Sequence, residues 1–150
     1  MNYSTRLEEL RDENNLNKKE FAIILKVSDS IYSRWENEND SIPTRRLYQI
    51  ANYYKVNIDY ILKLTNKRNN IKSNDTIDLE LVSNRLRQIR EDFNETLRTF
   101  ARRFNTTSST WSAYETGKVL ILGSFLVELC KISNCSADWI LGRTNDKYIK

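Results

Sequence analysis

Residues 17–37 read NKKEFAIILKVSDSIYSRWEN and contain two short helical patterns separated by a polar break at residues 26–28. Apolar side chains recur at i, i+1 and i+4 in both patterns: Phe21, Ala22 and Leu25 in the first, and Ile31, Tyr32 and Trp35 in the second. Helices this short are not stable alone, so they need neighbours that bury their apolar faces. Two such helices joined by a short turn form the arrangement that can place a helix in a DNA groove.

The composition of the 150-residue chain favours an all-α protein. Three glycines and one proline are too few for the many tight turns of a β-rich fold. The sequence has no apolar run of membrane-spanning length, and residues 1–10 lack the apolar core of a signal peptide. We therefore expect a cytoplasmic protein with no membrane partner.

The ionisable residues argue against an enzyme. The chain has no histidine, and it shows no nucleophile elbow, Gly-rich phosphate loop or paired-carboxylate signature. Cys130 and Cys135 are predicted to be small buried thiols in a reducing compartment, with no metal and no cofactor. The net charge of +4 permits nucleic acid as a partner, and all the excess positive charge lies in the second half.

The chain contains an internal repeat. At an offset of 79, residues 6–66 align with 85–145 without a gap, and sixteen positions are identical. The polar segment between the copies, NKRNNIKSNDT at 66–76, is predicted to be a flexible linker. The predicted organisation is one domain at 1–66, a linker at 67–76 and a second domain at 77–150.

Each copy is predicted to form five helices. In the first copy they span 4–14, 18–25, 29–37, 44–54 and 58–63, and the first helix of the second copy is expected to start near Ile77. Hydroxyl and amide side chains precede several of these helices and are predicted to cap them: Asn17, Ser28, Thr44, Thr96 and Thr107.

One pair of charges recurs at the edge of the predicted core. Arg11 and Glu36 in the first copy correspond to Arg90 and Glu115 in the second. A charge so close to a small core needs a partner, and a bidentate Arg–carboxylate bond would tie helix 1 to helix 3. We expect structural salt bridges here, the alternative being coincident surface charges.

Both copies resemble the Cro/phage-repressor (Xre-type) helix-turn-helix family. The first copy carries RLEELR at 6–11, KKEFA at 18–22, KVSDSIYSRWE at 26–36, IP at 42–43 and VNIDYIL at 56–62. The second carries RLRQIR at 85–90, LRTFA at 97–101, NTTSSTWSAYETGK at 105–118 and CSADWILGRTN at 135–145. The resemblance implies two tandem five-helix lambda-repressor-like domains whose third helices enter the major groove of double-stranded DNA.

In the first copy, the resemblance places the base-reading residues at the start of helix 3. They are Asp29, Ser30, Ser33 and Arg34, and an arginine can bond a guanine bidentately. Lys18 stands where the family usually has a phosphate-contacting glutamine, and Asn39, Arg45 and Arg46 are candidate phosphate contacts. The alternative for Arg34 is an ordinary solvated arginine.

The second copy carries different residues at the matching positions. Its candidate readers have short side chains, suited to thymine methyls but not to guanine: Ser108, Ser109, Thr110, Ser112 and Ala113. Leu97 replaces the phosphate-contacting residue, while Arg98 and Lys118 contribute a basic, sequence-independent surface. The two recognition helices therefore predict an asymmetric operator.

Some apolar residues depart from the core pattern. Ile23, Ile24, Val119, Leu120 and Leu122 occupy positions expected to be polar, and surplus exposed apolar residues often mark an interface. Ile121, within the VLIL segment at 119–122, is expected to pack inward. The alternative is that the others also fill the local core.

These patterns lead to a sequence-specific DNA-binding transcriptional regulator, most simply a repressor. One alternative keeps the first copy as the DNA reader and makes the second a degenerate module for protein interaction or dimerisation. Another is an antitoxin-like or antirepressor protein-binding module without DNA contact. Homodimerisation and intramolecular pairing of the two domains both remain open.

Overall fold

The computed structural model describes residues 5–37, 40–71 and 73–150. This part of the chain is all-α, as predicted, with no β-strand and a single isolated bridge between Cys135 and Tyr148. The first five helices are α1 (Leu7–Glu13), α2 (Lys18–Leu25), α3 (Asp29–Glu36), α4 (Thr44–Tyr54) and α5 (Ile58–Ile61). The next five are α6 (Leu79–Asp92), α7 (Leu97–Arg102), α8 (Ser108–Glu115), α9 (Gly123–Ser133) and α10 (Ala137–Ile140).

The backbone repeats with the sequence. Helices α7 to α10 begin 79 residues after α2 to α5, so we name α1–α5 the first unit and α6–α10 the second unit. Left-handed residues recur at the same offset, in the pairs Asn15 and Asn94, Lys26 and Asn105, Lys55 and Asn134, and Lys63 and Gly142. Lys26 takes this conformation at the turn between α2 and α3, where a lysine is mildly strained and the asparagine of the second unit is better tolerated.

Most of the predicted helix caps are confirmed. The side chains of Asn17, Ser28, Thr96 and Thr107 each accept a backbone N–H from the first turn of the following helix. Thr44 is the exception, because Pro43 occupies the cap position of α4 and makes no side-chain cap bond. The Thr44 hydroxyl instead donates to the Ile121 carbonyl oxygen in the second unit.

Some predicted helix ends were too long. Helix α1 begins at Leu7, and α5 ends at Ile61 because Lys63 adopts a φ of +57° that a right-handed helix cannot contain. Helix α6 begins at Leu79, two residues after the expected start, since Asp78 accepts the Leu81 N–H as its cap. Residue 4, the expected start of the first helix, lies outside the described residues.

Each unit has an aromatic core. In the first, the rings of Phe21 and Tyr54 stack at 5.0 Å, and Tyr32 meets Phe21 edge-on. In the second, Phe104 and Trp111 stack at 4.4 Å. Contacts of this kind bury much of the apolar area that stabilises helices too short to persist alone. Within the described part of the chain, no helix has both the length and the apolar character to cross a bilayer.

Some described residues of the linker form hydrogen bonds with the first unit. The Tyr48 hydroxyl donates to the Asn74 carbonyl at 2.7 Å, and the Asn57 amide donates to the Lys67 carbonyl at 3.0 Å. These polar side chains on α4 and before α5 satisfy backbone groups that would otherwise bind water. Lys67 and Asn74 therefore lie on the surface of the first unit.

The two units pack on each other through corresponding elements. Helix α4 contacts α9, its counterpart in the second unit, and α5 contacts its own counterpart α10. Helices α3 and α8 take no part in these main contacts.

Candidate nucleic-acid interface

Helix α3 is fixed to α1 by a buried ion pair. Arg11 Nε donates to Glu36 Oε2 at 2.8 Å, and Arg11 Nη2 donates to Glu36 Oε1 at 3.1 Å. The remaining Arg11 nitrogen donates to the Leu16 carbonyl oxygen at 2.9 Å. The bidentate bond raises the pKa of Arg11, and its geometry sets the direction of α3 relative to α1.

The second unit repeats this contact. Arg90 bonds both carboxylate oxygens of Glu115 at 2.8 and 3.0 Å, and its Nη1 donates to the Glu95 carbonyl, the counterpart of Leu16. Glu115 is 3% exposed, and this arginine is its nearer countercharge, with Arg87 Nε at 3.9 Å. An equivalent ion pair therefore orients α8 in the second unit.

The outward surface of α3 carries the predicted readers of the first unit. Asp29 and Ser30 are exposed at its start, and Ser33 is half-buried. The Arg34 side chain is 59% exposed, and its Nε lies 2.8 Å from Asp40 Oδ2. An exposed ion pair of this kind is weak, so Arg34 can exchange Asp40 for another acceptor at little cost.

The predicted phosphate-contacting residues differ in their surroundings. Lys18, at the start of α2, is half-buried, and Arg45 is exposed on α4. Arg46 has a structural contact, because its Nη1 donates to the Leu25 carbonyl and to Gln49 Oε1, both at 2.8 Å. It thereby holds α4 against the C-terminal end of α2. Asn39 lies outside the described residues.

The matching surface of α8 lacks a long polar reader. Ser108 and Ser109 are exposed, while Thr110, Ser112 and Ala113 are half-buried. Arg98 on α7 and Lys118 after α8 are both exposed cations. The second unit therefore exposes short side chains on α8 and positive charges on α7 and directly after α8.

The apolar residues at 119–122 lie beside this surface of α8. Val119 and Leu122 are 52% and 56% exposed, Leu120 is half-buried, and Ile121 packs inward as predicted. A groove of about 380 Å³ is lined by Ser109, Thr110, Ala113, Tyr114, Val119, Leu120 and Leu122. In the first unit, Ile23 and Ile24 are exposed on α2 at 67% and 38%. Val119, Leu122 and Ile23 thus stay outside the local cores.

Comparison with known proteins assigns a class to the first unit. Residues 5–67 match the family model of the helix-turn-helix domain, so this part of the chain is a helix-turn-helix domain. No solved structure matches the chain.

A curated relative is an uncharacterized HTH-type transcriptional regulator of Bacillus subtilis (strain 168), YobD. It is 35% identical to this chain over 63 residues. The match covers 42% of this chain and 56% of the relative, so just over half of that protein's length is represented.

A carboxylate pair that the sequence patterns did not predict lies between the units. Asp138 accepts the Ile58 and Asp59 N–H groups at the start of α5, at 2.8 and 3.0 Å. Asp59 in turn accepts the Ala137 N–H at the start of α10, at 2.7 Å, and the Ser136 hydroxyl. Each aspartate thus caps the helix that carries the other, an arrangement we name the reciprocal caps.

The two carboxylates have unequal surroundings. Arg143 forms a buried ion pair with Asp138, and neither side chain is more than 1% exposed. Asp59 has no arginine at the corresponding place, which is occupied by Leu64. Burial and the neighbouring Asp138 charge raise the pKa of Asp59 to about 7, although the bonds from Ser136 and Ala137 partly oppose the shift.

A signal for this pair was present in the sequence. Asp59 and Asp138 occupy the same position in both copies, and each is followed by an aromatic residue, an isoleucine and a leucine. As with Arg11 and Glu36, a repeated charge within an apolar pattern needs a partner. The partners are backbone N–H groups of the opposite unit, 78 to 80 residues away.

The predicted burial of the two cysteines is confirmed. Cys130 and Cys135 are free and buried. Burial raises the pKa of the Cys130 thiol well above its usual value, so the reactive thiolate is disfavoured.

Proposed function

We propose that this protein is a sequence-specific double-stranded DNA-binding transcriptional regulator, most simply a cytoplasmic, non-enzymatic repressor. The observation that carries the proposal is a helix-turn-helix domain whose third helix is fixed by the Arg11–Glu36 pair and exposes Asp29, Ser30 and Arg34. A rigidly held helix with exposed polar side chains suits the major groove. The similarity to a named transcriptional regulator supports the same class.

In the proposed complex Arg34 leaves Asp40 and donates two bonds to a guanine edge. Lys18 and Arg45 neutralise phosphates beside the recognition helix. We further propose that the second unit is also a helix-turn-helix domain, because its helices and its Arg90–Glu115 pair repeat those of the first. The short side chains of α8 would then favour thymine methyl groups, which makes the operator asymmetric.

The test is a selection of duplexes from a random pool with the full chain, followed by affinity measurements. Arg34→Ala should weaken binding to the selected duplex by about 1–3 kcal/mol and relax the preference for guanine at one position. Arg68→Ala is the matched control, because Arg68 is an exposed arginine that pairs with Glu13 away from α3. It removes the same charge and should leave the guanine preference intact.

Two outcomes would contradict the proposal. If the selected duplexes bind no tighter than random DNA, the protein is not a sequence-specific reader. If Arg34→Ala and Arg68→Ala weaken binding equally and without change of preference, α3 does not read bases.

A second candidate function applies to the second unit alone, namely a protein-interaction module. The observation that favours it is the groove beside α8, with Val119 and Leu122 more than half exposed. Exposed apolar side chains rimmed by polar ones are typical of protein contacts. In this case the first unit binds DNA and the second recruits a protein.

The two roles for α8 make different predictions for its serines. If α8 reads DNA, replacing Ser108 and Ser109 by leucine should change the selected sequence in one half of the operator. If it binds another protein instead, the selected sequence should stay the same. A changed operator rules out the second candidate, because the serines of α8 would then contact DNA.

A further inference from the structure

We infer that the surface between the two units joins a first unit only to a second unit. The two units of one chain therefore pair with each other, and the protein remains a monomer. This concerns the surface made by α4, α5, α9 and α10, and it does not depend on DNA binding. Its partner is the other half of the same chain. Two other pairings are conceivable, first unit with first unit and second unit with second unit, and specific residues oppose each of them.

The contact has approximate twofold symmetry. Asp59 bonds the start of α10, and Asp138 bonds the start of α5, so equivalent residues exchange equivalent bonds across the repeat. Thr44 similarly contacts the Ile121 carbonyl, and its counterpart Gly123 contacts the Ile42 carbonyl. Reciprocal contacts of this type define an isologous interface, the kind that normally joins two identical subunits.

The first departure from symmetry is steric. A Cβ placed on Gly123 would lie 1.9 Å from the Ile42 carbonyl oxygen, which is far inside van der Waals contact. The corresponding residue of the first unit is Thr44, which has a β-branched side chain. Two first units would lose this close approach, because a threonine would face the carbonyl on both sides, as Thr44 faces Ile121. They would also bring two buried Asp59 carboxylates together without an arginine to neutralise either.

The second departure is electrostatic. Arg143 pairs with Asp138 inside the second unit and reaches across to Asn52 Oδ1, with Nε at 3.2 Å and Nη2 at 3.1 Å. The counterpart of Asn52 is Lys131. Two second units would set a lysine against each Arg143, and like charges at a buried contact are strongly unfavourable. Two first units would have no arginine, because Leu64 stands in its place.

The connecting segment also favours pairing within the chain. Residues 67–76 are too short to act as a long tether, and Tyr48 and Asn57 hold parts of them against the first unit. A short connection gives the attached unit an effective concentration in the millimolar range. Exchange of units between chains is therefore disfavoured at ordinary protein concentrations.

The experiment measures mass and amide exchange on the full chain without DNA. We expect a mass of 17.8 kDa by light scattering at all concentrations tested, together with slow exchange of the Ile58, Asp59 and Ala137 amide protons. A concentration-dependent dimer in which these amides stay protected would show exchange of units between chains. That result would overturn the inference.

Two substitutions convert a residue to its counterpart in the other unit. Asn52→Lys sets a lysine against Arg143 at a half-buried position of α4, and Gly123→Thr introduces the steric conflict with the Ile42 carbonyl. Each should accelerate exchange of the three amides by about tenfold or more, while helical circular dichroism is largely kept. Lys131→Asn is the matched control, an exposed residue whose replacement should leave exchange unchanged.

The results distinguish selectivity from simple damage. If Asn52→Lys and Gly123→Thr leave the three amides protected, the asymmetric contacts do not control pairing and the inference is wrong. If Gly123→Thr fails to fold, Asn52→Lys decides the question alone, because it lies outside the buried core. Faster exchange in Lys131→Asn, equal to that in Asn52→Lys, would also overturn the inference.

Discussion

Replacement of Asp59 by asparagine should change the pH dependence of stability. Asp59 is 6% exposed and lies beside Asp138 without an arginine of its own, which raises its pKa from 3.8 to about 7. A group with a raised pKa binds more protons in the folded than in the unfolded state between these values. The stability it contributes is therefore present below pH 4 and is lost as the pH rises through 7.

The magnitude follows from the difference of about three pH units between the two pKa values. At 1.36 kcal/mol per unit, the complete loss is about 4 kcal/mol, and about 2.5 kcal/mol of it falls between pH 5 and pH 8. Asp59→Asn cannot ionise, and its amide oxygen can still accept the Ala137 N–H. We expect the variant to be more stable than the wild type at pH 8, by an amount that shrinks at pH 5.

The assay is urea unfolding followed by tryptophan fluorescence at pH 5, 6, 7 and 8. The absence of histidine keeps this pH range free of the usual side-chain titration. The difference in unfolding free energy between wild type and Asp59→Asn reports Asp59 and its interaction with Asp138, because the remaining groups are common to both. A difference that stays constant across the range, or that favours the wild type more strongly at pH 8 than at pH 5, would refute the reasoning.

Three further predictions follow from single contacts. Asp40→Asn should tighten DNA binding up to about fivefold, because it frees Arg34 from an exposed ion pair; equal tightening in a variant that also lacks Arg34 would contradict this. Glu115→Gln should lower the free energy of unfolding by about 3 kcal/mol by leaving its arginine partner without a countercharge, whereas Glu13→Gln, at an exposed pair, should cost less than about 1 kcal/mol. The buried Cys130 should resist thiol reagents in the native protein and react only in urea, so rapid native labelling would show that its site opens.

The helices and their caps could be predicted from the sequence because they depend on residues close together in the chain. Apolar spacing located the five helices predicted for the first copy, and caps such as Asn17 and Ser28 fixed the starts of α2 and α3. The Arg11–Glu36 pair could also be predicted, because an arginine and a glutamate recur at the same spacing in the second copy.

Contacts between residues distant in the sequence could not be predicted in the same way. Thr44 has the residue type and position of a cap, but a carbonyl 77 residues away competes successfully for its hydroxyl. Arg46 has the charge of a phosphate ligand, yet its guanidinium is held by the end of α2. In both cases the deciding partner comes from the packing of helices, which local sequence patterns do not specify.

The reciprocal caps have a consequence for how this protein unfolds. Helices α5 and α10 contain only four residues each, and the first amide groups of each are bonded by a carboxylate from the opposite half of the chain. Helix nucleation is costly, so separation of the halves removes the bonds that offset this cost at both sites together. Folding of either half is therefore thermodynamically linked to folding of the other, and a single cooperative transition replaces two independent ones.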